Sequence, residues 1–245
     1  KNVETLLSAT DLASVDVGQT IYHAVFTAHP VFSLNATNSC KLSEMAGRNL
    51  TKPFPQDAYD PRTEISLQDE HNEATSAIKS AREAIMSLHK KILTEKCSRN
   101  MPGWRDSVPK LFAVSTWVGY DLDGRSDISW LDSFRLRLSE KKISLDLYIE
   151  KLAPFFESHP EVGRIIDELN AERRATEADL ARFKKTEDNG FVDAANRLTE
   201  RHNKLIASKV FAERLRKIAA NTQNPEEAVE LLAIAGDIAG NGFGL

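Results

Sequence analysis

Val25-Phe26-Thr27-Ala28-His29-Pro30 and, further along, Thr116-Trp117-Val118-Gly119-Tyr120-Asp121-Leu122-Asp123-Gly124 are the stretches on which the reading of this chain turns. Each is an apolar run that breaks at its C-terminal end into polar, reactive side chains, the way a barrel or an open α/β sheet presents catalytic groups from its strand ends. The runs predict strands over 21–27 and 111–118, and the long helical excursion between them predicts a parallel arrangement. Phe243-Gly244-Leu245 is a third, interrupted candidate, so strand ends are expected near 21–30, 111–121 and 243–245.

Helices fill most of the remainder. From 65 to 96 the residues Ile78, Ala81, Ile85, Leu88 and Ile92 recur at alternating spacings of three and four, which predicts one long amphipathic helix. Leu131, Phe134, Leu138, Leu145, Tyr148, Ile149 and Leu152 give a second helical period over 129–155, with Ser129 or Asp127 able to cap it. After Ser158-His159-Pro160, two charged helices joined at Asp188-Asn189-Gly190 predict a helical hairpin over 160–219. Its second arm carries Phe191, Leu198, Leu205 and Ala212 at strict seven-residue intervals, a seam for an antiparallel neighbour. Glu172, Arg173, Arg174, Lys184 and Lys185 read as a solvated face. A last helix opens at Asn224-Pro225-Glu226-Glu227, where Asn caps, Pro takes the first turn and two carboxylates complement the dipole, and it ends near Gly236 to Gly242.

The composition suits a water-soluble protein with a sizeable core: 245 residues, 41% hydrophobic and 28% charged. A net charge of −4 supplies no positive field for a polyanion, which argues against a nucleic-acid partner. No apolar stretch reaches the roughly 18 residues of a membrane span and no signal peptide is visible, so no membrane association and a cytoplasmic location are expected. The two cysteines, Cys40 and Cys97, lack a thiol or histidine at ligand spacing and read as free thiols. A start at Lys1 and a finish on a strand-like Gly242-Phe243-Gly244-Leu245 give the expectation that 1–245 is a single fragment of a longer protein.

Chemistry is confined to the two strand ends, because the chain has no glycine-rich phosphate loop, no Gly-x-Ser-x-Gly elbow and no clustered His/Cys set. His29 follows a β-branched and aromatic run and precedes a proline that projects it from an extended backbone. It can exchange a proton near neutral pH or face a forming oxyanion, or it can be a half-buried histidine bonded to backbone. His23, His71, His89, His159 and His202 lack that setting and read as surface or packing residues. Asp121 and Asp123 alternate ahead of a glycine able to turn sharply, but a calcium loop registered on Gly124 puts Gly119 and Trp130 at the two key ligand positions, which excludes an EF-hand. The carboxylates then either cap Arg125 and nearby amides or hold a basic active-site group.

Read together and in order, Thr27-Ala28-His29-Pro30-Val31 and Trp117-Val118-Gly119-Tyr120-Asp121-Leu122-Asp123-Gly124-Arg125-Ser126 resemble phosphoenolpyruvate carboxylase, whose members carry Thr-Ala-His-Pro-Thr and Trp-Met-Gly-Gly-Asp-Arg-Asp-Gly-Asn-Pro on successive strands. The terminal Phe243-Gly244-Leu245 is similar to that family's next strand. The resemblance implies a mainly α-helical protein, with this chain an α/β fragment holding the first two or three strands of an incomplete TIM-type barrel and long helical hairpins. It implies a carbon–carbon lyase that converts phosphoenolpyruvate and bicarbonate to oxaloacetate and phosphate with Mg or Mn, the metal ligands lying outside this fragment. His29 would be catalytic, assisting the carboxyphosphate and carbon dioxide stages. Asp121, Asp123, Gly124 and Arg125 would shape the substrate site. The fragment alone is not expected to turn over, and the helical surface allows a homo-oligomer of the full-length protein.

The chain departs from that pattern where cations are usual. Val31-Phe32-Ser33 follows the His-Pro, Leu122 stands between the two aspartates, and Arg125-Ser126 replaces Asn-Pro. Each donor missing from a site that handles developing anions removes roughly 2 to 4 kcal/mol of transition-state stabilisation. The alternative reading is therefore a non-catalytic helical interaction or regulatory module derived from the same fold.

Overall fold

The computed structural model describes residues 17–26, 65–120, 125–126, 128–185, 191–202 and 207–243, together with Glu44. Among the described residues two strands, β1 (Tyr22–Phe26) and β2 (Phe112–Thr116), lie among six longer α-helices: α1 (Leu67–Ser98), α2 (Trp130–Leu152), α3 (Pro160–Lys185), α4 (Phe191–His202), α5 (Ser208–Asn221) and α6 (Pro225–Asn241). The described residues are thus mainly helical, with one two-stranded parallel sheet.

Capping side chains set where the helices begin. Ser66 and Ser129 each accept from the backbone N–H three residues on, and Asp69 and Asp132 reach back to the Ser66 and Ser129 amides, so α1 and α2 both open on a capping box. Ser129, one of the two expected caps, is the cap used. Asn224 caps α6 through the Glu226 amide, with Pro225 in the first turn, as expected.

α6 forms the centre of the packing. Residues Leu231 through Ile238 are all buried, and an apolar helix enclosed on every side needs neighbours all round. It receives α5, α1 and β2, while α2 packs along α3. The main core joins Leu145, Tyr148 and Leu152 of α2 to Val162, Ile165 and Leu169 of α3 and to Phe211, Leu215 and Ile218 of α5. Each fully buried Leu or Ile of this set contributes about 1.5–3 kcal/mol relative to exposure. Small residues let α6 approach the sheet closely: a Cβ on Gly240 would stand 3.2 Å from the Phe112 carbonyl oxygen, and one on Gly236 would overlap the Pro109 carbonyl.

Four expectations change. The arm expected to run unbroken to 219 is two helices, α4 and α5, because Ala207 has an extended backbone (φ −59°, ψ 141°) at the start of α5. Hence the closest helical pairs are α2 with α3 and α5 with α6, rather than a single hairpin over 160–219. In its heptad seam, Leu198 packs against Leu138 and Phe183 and Ala212 joins the main core, while the Phe191 side chain and Leu205 lie outside the described residues. Phe243, expected to begin a third strand, sits in the turn after α6 with its ring edge-on to Tyr148 and Phe211; Gly244 and Leu245 lie outside the described residues.

The expected solvated face of α3 is in part a helix–helix seam. Glu172 pairs at 2.7 Å with Lys141 of α2, which is buried, and Arg173 bonds Glu177 at 3.3 Å and faces Asp146 at 3.7 Å. Arg174 is exposed, and the Lys184 and Lys185 side chains lie outside what is described. On α1 the deepest stripe is not the expected one. His71, Ala74, Arg82, Met86, His89, Leu93 and Lys96 are buried, and of the expected apolar series Ile92 is buried with them, whereas Ile78, Ala81, Ile85 and Leu88 are only half-buried.

Candidate functional site

Both motif-bearing runs are the strands the sequence predicts, and they pair in parallel with Tyr22 opposite Phe112 and Phe26 opposite Thr116. The register is locked at the C-terminal end. The Trp117 amide donates to the Phe26 carbonyl at 2.8 Å, and the Thr116 hydroxyl donates to the same oxygen at 3.1 Å while accepting from the Val118 amide at 3.1 Å. The two strands therefore end side by side, at Phe26 and Thr116. His29 lies three residues past Phe26 and Asp121 five past Thr116.

His29, Asp121, Asp123 and Gly124 themselves lie outside the described residues, as do Val31 and Leu122. A tight turn precedes the aspartates. Tyr120 N–H returns to the Trp117 carbonyl at 3.1 Å, and Gly119 takes a φ of 82° at the third position of that turn, where a side-chain-bearing residue is strained. Ser133 of α2 donates its hydroxyl to the Gly119 carbonyl, pinning the turn to the start of that helix. Trp117 is left half exposed beside it, at 53%.

A polar cluster backs this turn. The Arg137 guanidinium stacks 3.8 Å above the centroid of the Tyr120 ring, and its Nη1 stands 3.5 Å from Glu140 Oε2. On the other side, Glu140 Oε1 faces the buried His71 ring at 3.5 Å, an electrostatic contact longer than a good hydrogen bond. Burial, reinforced by the neighbouring Glu140 carboxylate, raises the Tyr120 phenol well above its ordinary range, so the hydroxyl stays protonated at neutral pH. Arg125, the one expected site-shaping side chain among the described residues, directs Nη2 toward Glu70 Oε2 of α1 at 3.5 Å. Thus α1 and α2 both send charged side chains to the end of the sheet from which the motifs emerge.

Beside β2 lies a pocket of about 110 Å3 walled by Ile78, Val114, Ile143 and Leu147, with Lys79, Arg82, Arg137 and Glu140 among its polar lining. Arg82 is the deepest of these. It donates through Nε and Nη2 to Asp237 Oδ2 at 3.1 and 2.6 Å, through Nη2 to the Tyr148 hydroxyl, and through Nη1 to Ser144 Oγ at 2.9 Å. Asp237 in turn accepts from Asn241 Nδ2 at 2.8 Å, and Asn241 Oδ1 accepts the Val114 amide at 2.8 Å. A continuous hydrogen-bonded network, buried around Arg82 and half-buried at Asn241, therefore ties α1, α2 and α6 to the edge of β2 that faces away from β1.

Among the described residues no group of three or more His, Cys, Asp or Glu is placed to hold a metal ion. No helix among them is long and apolar enough to cross a membrane. Of the other histidines, His71 and His89 are buried, His159 bonds Glu227 at 2.9 Å, and the exposed His23 bonds Ser115 Oγ at 3.0 Å. The His202 side chain and Cys40 lie outside the described residues, and Cys97 is a half-buried free thiol.

No family model matches the chain, and no curated protein matches it.

Arg82, Arg137, Glu140 and His71 did not emerge from sequence reasoning as site residues. The one available signal was periodicity of the wrong polarity: His71, Ala74, Ile78, Arg82, His89 and Lys96 recur at helical spacing on α1 and mix charge into a face that burial requires.

Proposed function

We propose that the chain is the N-terminal part of a phosphoenolpyruvate carboxylase-like lyase, whose full-length form converts phosphoenolpyruvate and bicarbonate to oxaloacetate and phosphate. The single observation in favour is the parallel register of β1 and β2, which carries the Thr27-Ala28-His29-Pro30 and Gly119-to-Gly124 segments out of the sheet at the same end. That is where a parallel α/β enzyme gathers groups from separate strands. The barrel reading is part of this proposal, with β1 and β2 as its first two strands.

In this scheme bicarbonate attacks phosphorus, the pyruvate enolate leaves, and carboxyphosphate breaks down to phosphate and carbon dioxide, which the enolate captures. His29 supplies the proton-transferring or charge-stabilising imidazole for the later stages. Asp121, Asp123, Gly124 and Arg125 line the floor, with Glu70 facing Arg125 from α1. Magnesium or manganese would supply charge neutralisation for the phosphoryl group, held by residues outside this chain.

The test is oxaloacetate formation by the full-length protein, followed by coupled reduction to malate. His29→Asn is expected to abolish it while leaving the far-ultraviolet circular dichroism unchanged. An undiminished rate in that variant overturns the role given to His29. Failure of the unaltered protein to bind phosphoenolpyruvate in the presence of magnesium favours instead a helical interaction module that has lost the pocket.

A further inference from the structure

The pocket beside β2 has a charge and shape of its own. Arg82 is 4% exposed, and four of its five N–H groups are taken by Asp237, Tyr148 and Ser144, which leaves one hydrogen on Nη1. Its charge is matched by Asp237 at 2.6 Å, and that of Arg137 by Glu140 at 3.5 Å. Lys79, at the rim, has no ion-pair partner among the described residues. The lining therefore carries one surplus positive charge, at Lys79, which favours a monoanion.

Size and walls narrow the class. A space of about 110 Å3 has room for one small organic molecule. Ile78, Val114, Ile143 and Leu147 make most of its wall apolar, so a fully hydrated inorganic anion would be desolvated there without compensation along those sides. A planar carboxylate matches the guanidinium fork, and a short aliphatic tail matches the walls.

We propose that this pocket binds a short-chain monocarboxylate, its head between Lys79, Arg137 and the free Nη1 hydrogen of Arg82, its tail against Ile143 and Leu147. The proposal does not rest on the carboxylase reading, because none of the residues it uses has a role in that reading. The site ties three elements together, so its occupant would stiffen the junction of α1 and α2 with the sheet.

Calorimetric titration of the 245-residue chain with propionate tests this. Saturable binding is expected, with propionamide, the neutral isostere, at least tenfold weaker and inorganic phosphate weaker still. Lys79→Glu reverses the rim charge at an exposed position and is expected to weaken propionate about tenfold. Ile143→Trp, at a partly exposed wall, is expected to fill the pocket and abolish binding, with circular dichroism showing each variant folded. No saturable heat with propionate, equal binding of propionamide, tighter binding of phosphate, or indifference to both substitutions each overturns the proposal.

Discussion

His89 shows how a single buried side chain makes the stability of this protein depend on pH. Its ring is fully buried, and both nitrogens lack a hydrogen-bond partner. Burial lowers its pKa to about 4 despite the nearby Asp237 carboxylate, which favours the charged form. The folded state therefore holds His89 neutral across a range in which the unfolded chain, titrating near the ordinary value of about 6.5, takes up a proton. A depressed histidine pKa means that stability is fully present above about 6.5 and falls as the pH drops toward 4, below which it levels. Between pH 7.5 and 5 the loss from this residue is about 2 kcal/mol. His89→Leu is expected to flatten the pH dependence of urea unfolding by that amount, whatever it does to stability at pH 7.5. Equal slopes for the two proteins would show that the imidazole titrates in the fold as it does in the unfolded chain.

At the level of elements, the ends of helices were the most legible feature of the sequence and their buried faces the least. Ser129 was identifiable as a cap because its hydroxyl sits just before a periodic apolar run, and the structure adds the reciprocal bond from Asp132. Ser129→Ala removes one half of that box and is expected to cost about 1 kcal/mol, measurable as a lower urea midpoint with an unchanged slope. The strands were legible too, since β-branched and aromatic runs bounded by turn residues have few other uses. The inner face of α1 was not, because hydrophobic periodicity cannot anticipate that Arg82 finds Asp237 from the far end of the chain. The break between α4 and α5 escaped for a related reason: a regular heptad of apolar residues spans it, while the extended conformation of Ala207 leaves no mark in residue type. The site was legible only as two strand ends, since the charged side chains behind them come from helices distant in sequence. Gly236 in α6 tests how close the packing is. Alanine gains about 1 kcal/mol of helix propensity there, but its Cβ would meet the Pro109 carbonyl, a backbone atom that cannot swing away, and stand 3.3 Å from His89 Nδ1. Overpacking of about 1–3 kcal/mol wins, so Gly236→Ala is expected to lower the melting temperature; a rise would show that α6 can shift from the 107–110 segment at little cost.

Across the whole molecule, the Arg82–Asp237 pair is where separate parts of the chain are held in one arrangement. Arg82 comes from α1, Ser144 and Tyr148 from α2, Asp237 and Asn241 from α6, and Asn241 reaches the Val114 amide of β2. Tyr148 is kept as a neutral phenol, chiefly by burial and then by the Asp237 charge, so it donates to the Gly242 carbonyl at 2.8 Å and closes the turn after α6. A buried ion pair adds little net stability over a well-packed apolar pair, yet losing one partner strands the other charge and costs about 3–5 kcal/mol. Asp237→Ala is therefore expected to lose that much in urea unfolding, through the stranded guanidinium rather than through lost volume. The double variant Arg82→Met, Asp237→Ala removes both charges and is expected to be more stable than Asp237→Ala alone, even though it lacks more native contacts. If instead the two losses add, the pair acts as independent contacts and the sheet edge is held by apolar packing around α6. If the double variant recovers stability while the Val114 amide exchanges faster with solvent, the network serves mainly to fix where β2 lies, and with it the end of the sheet from which both motifs emerge.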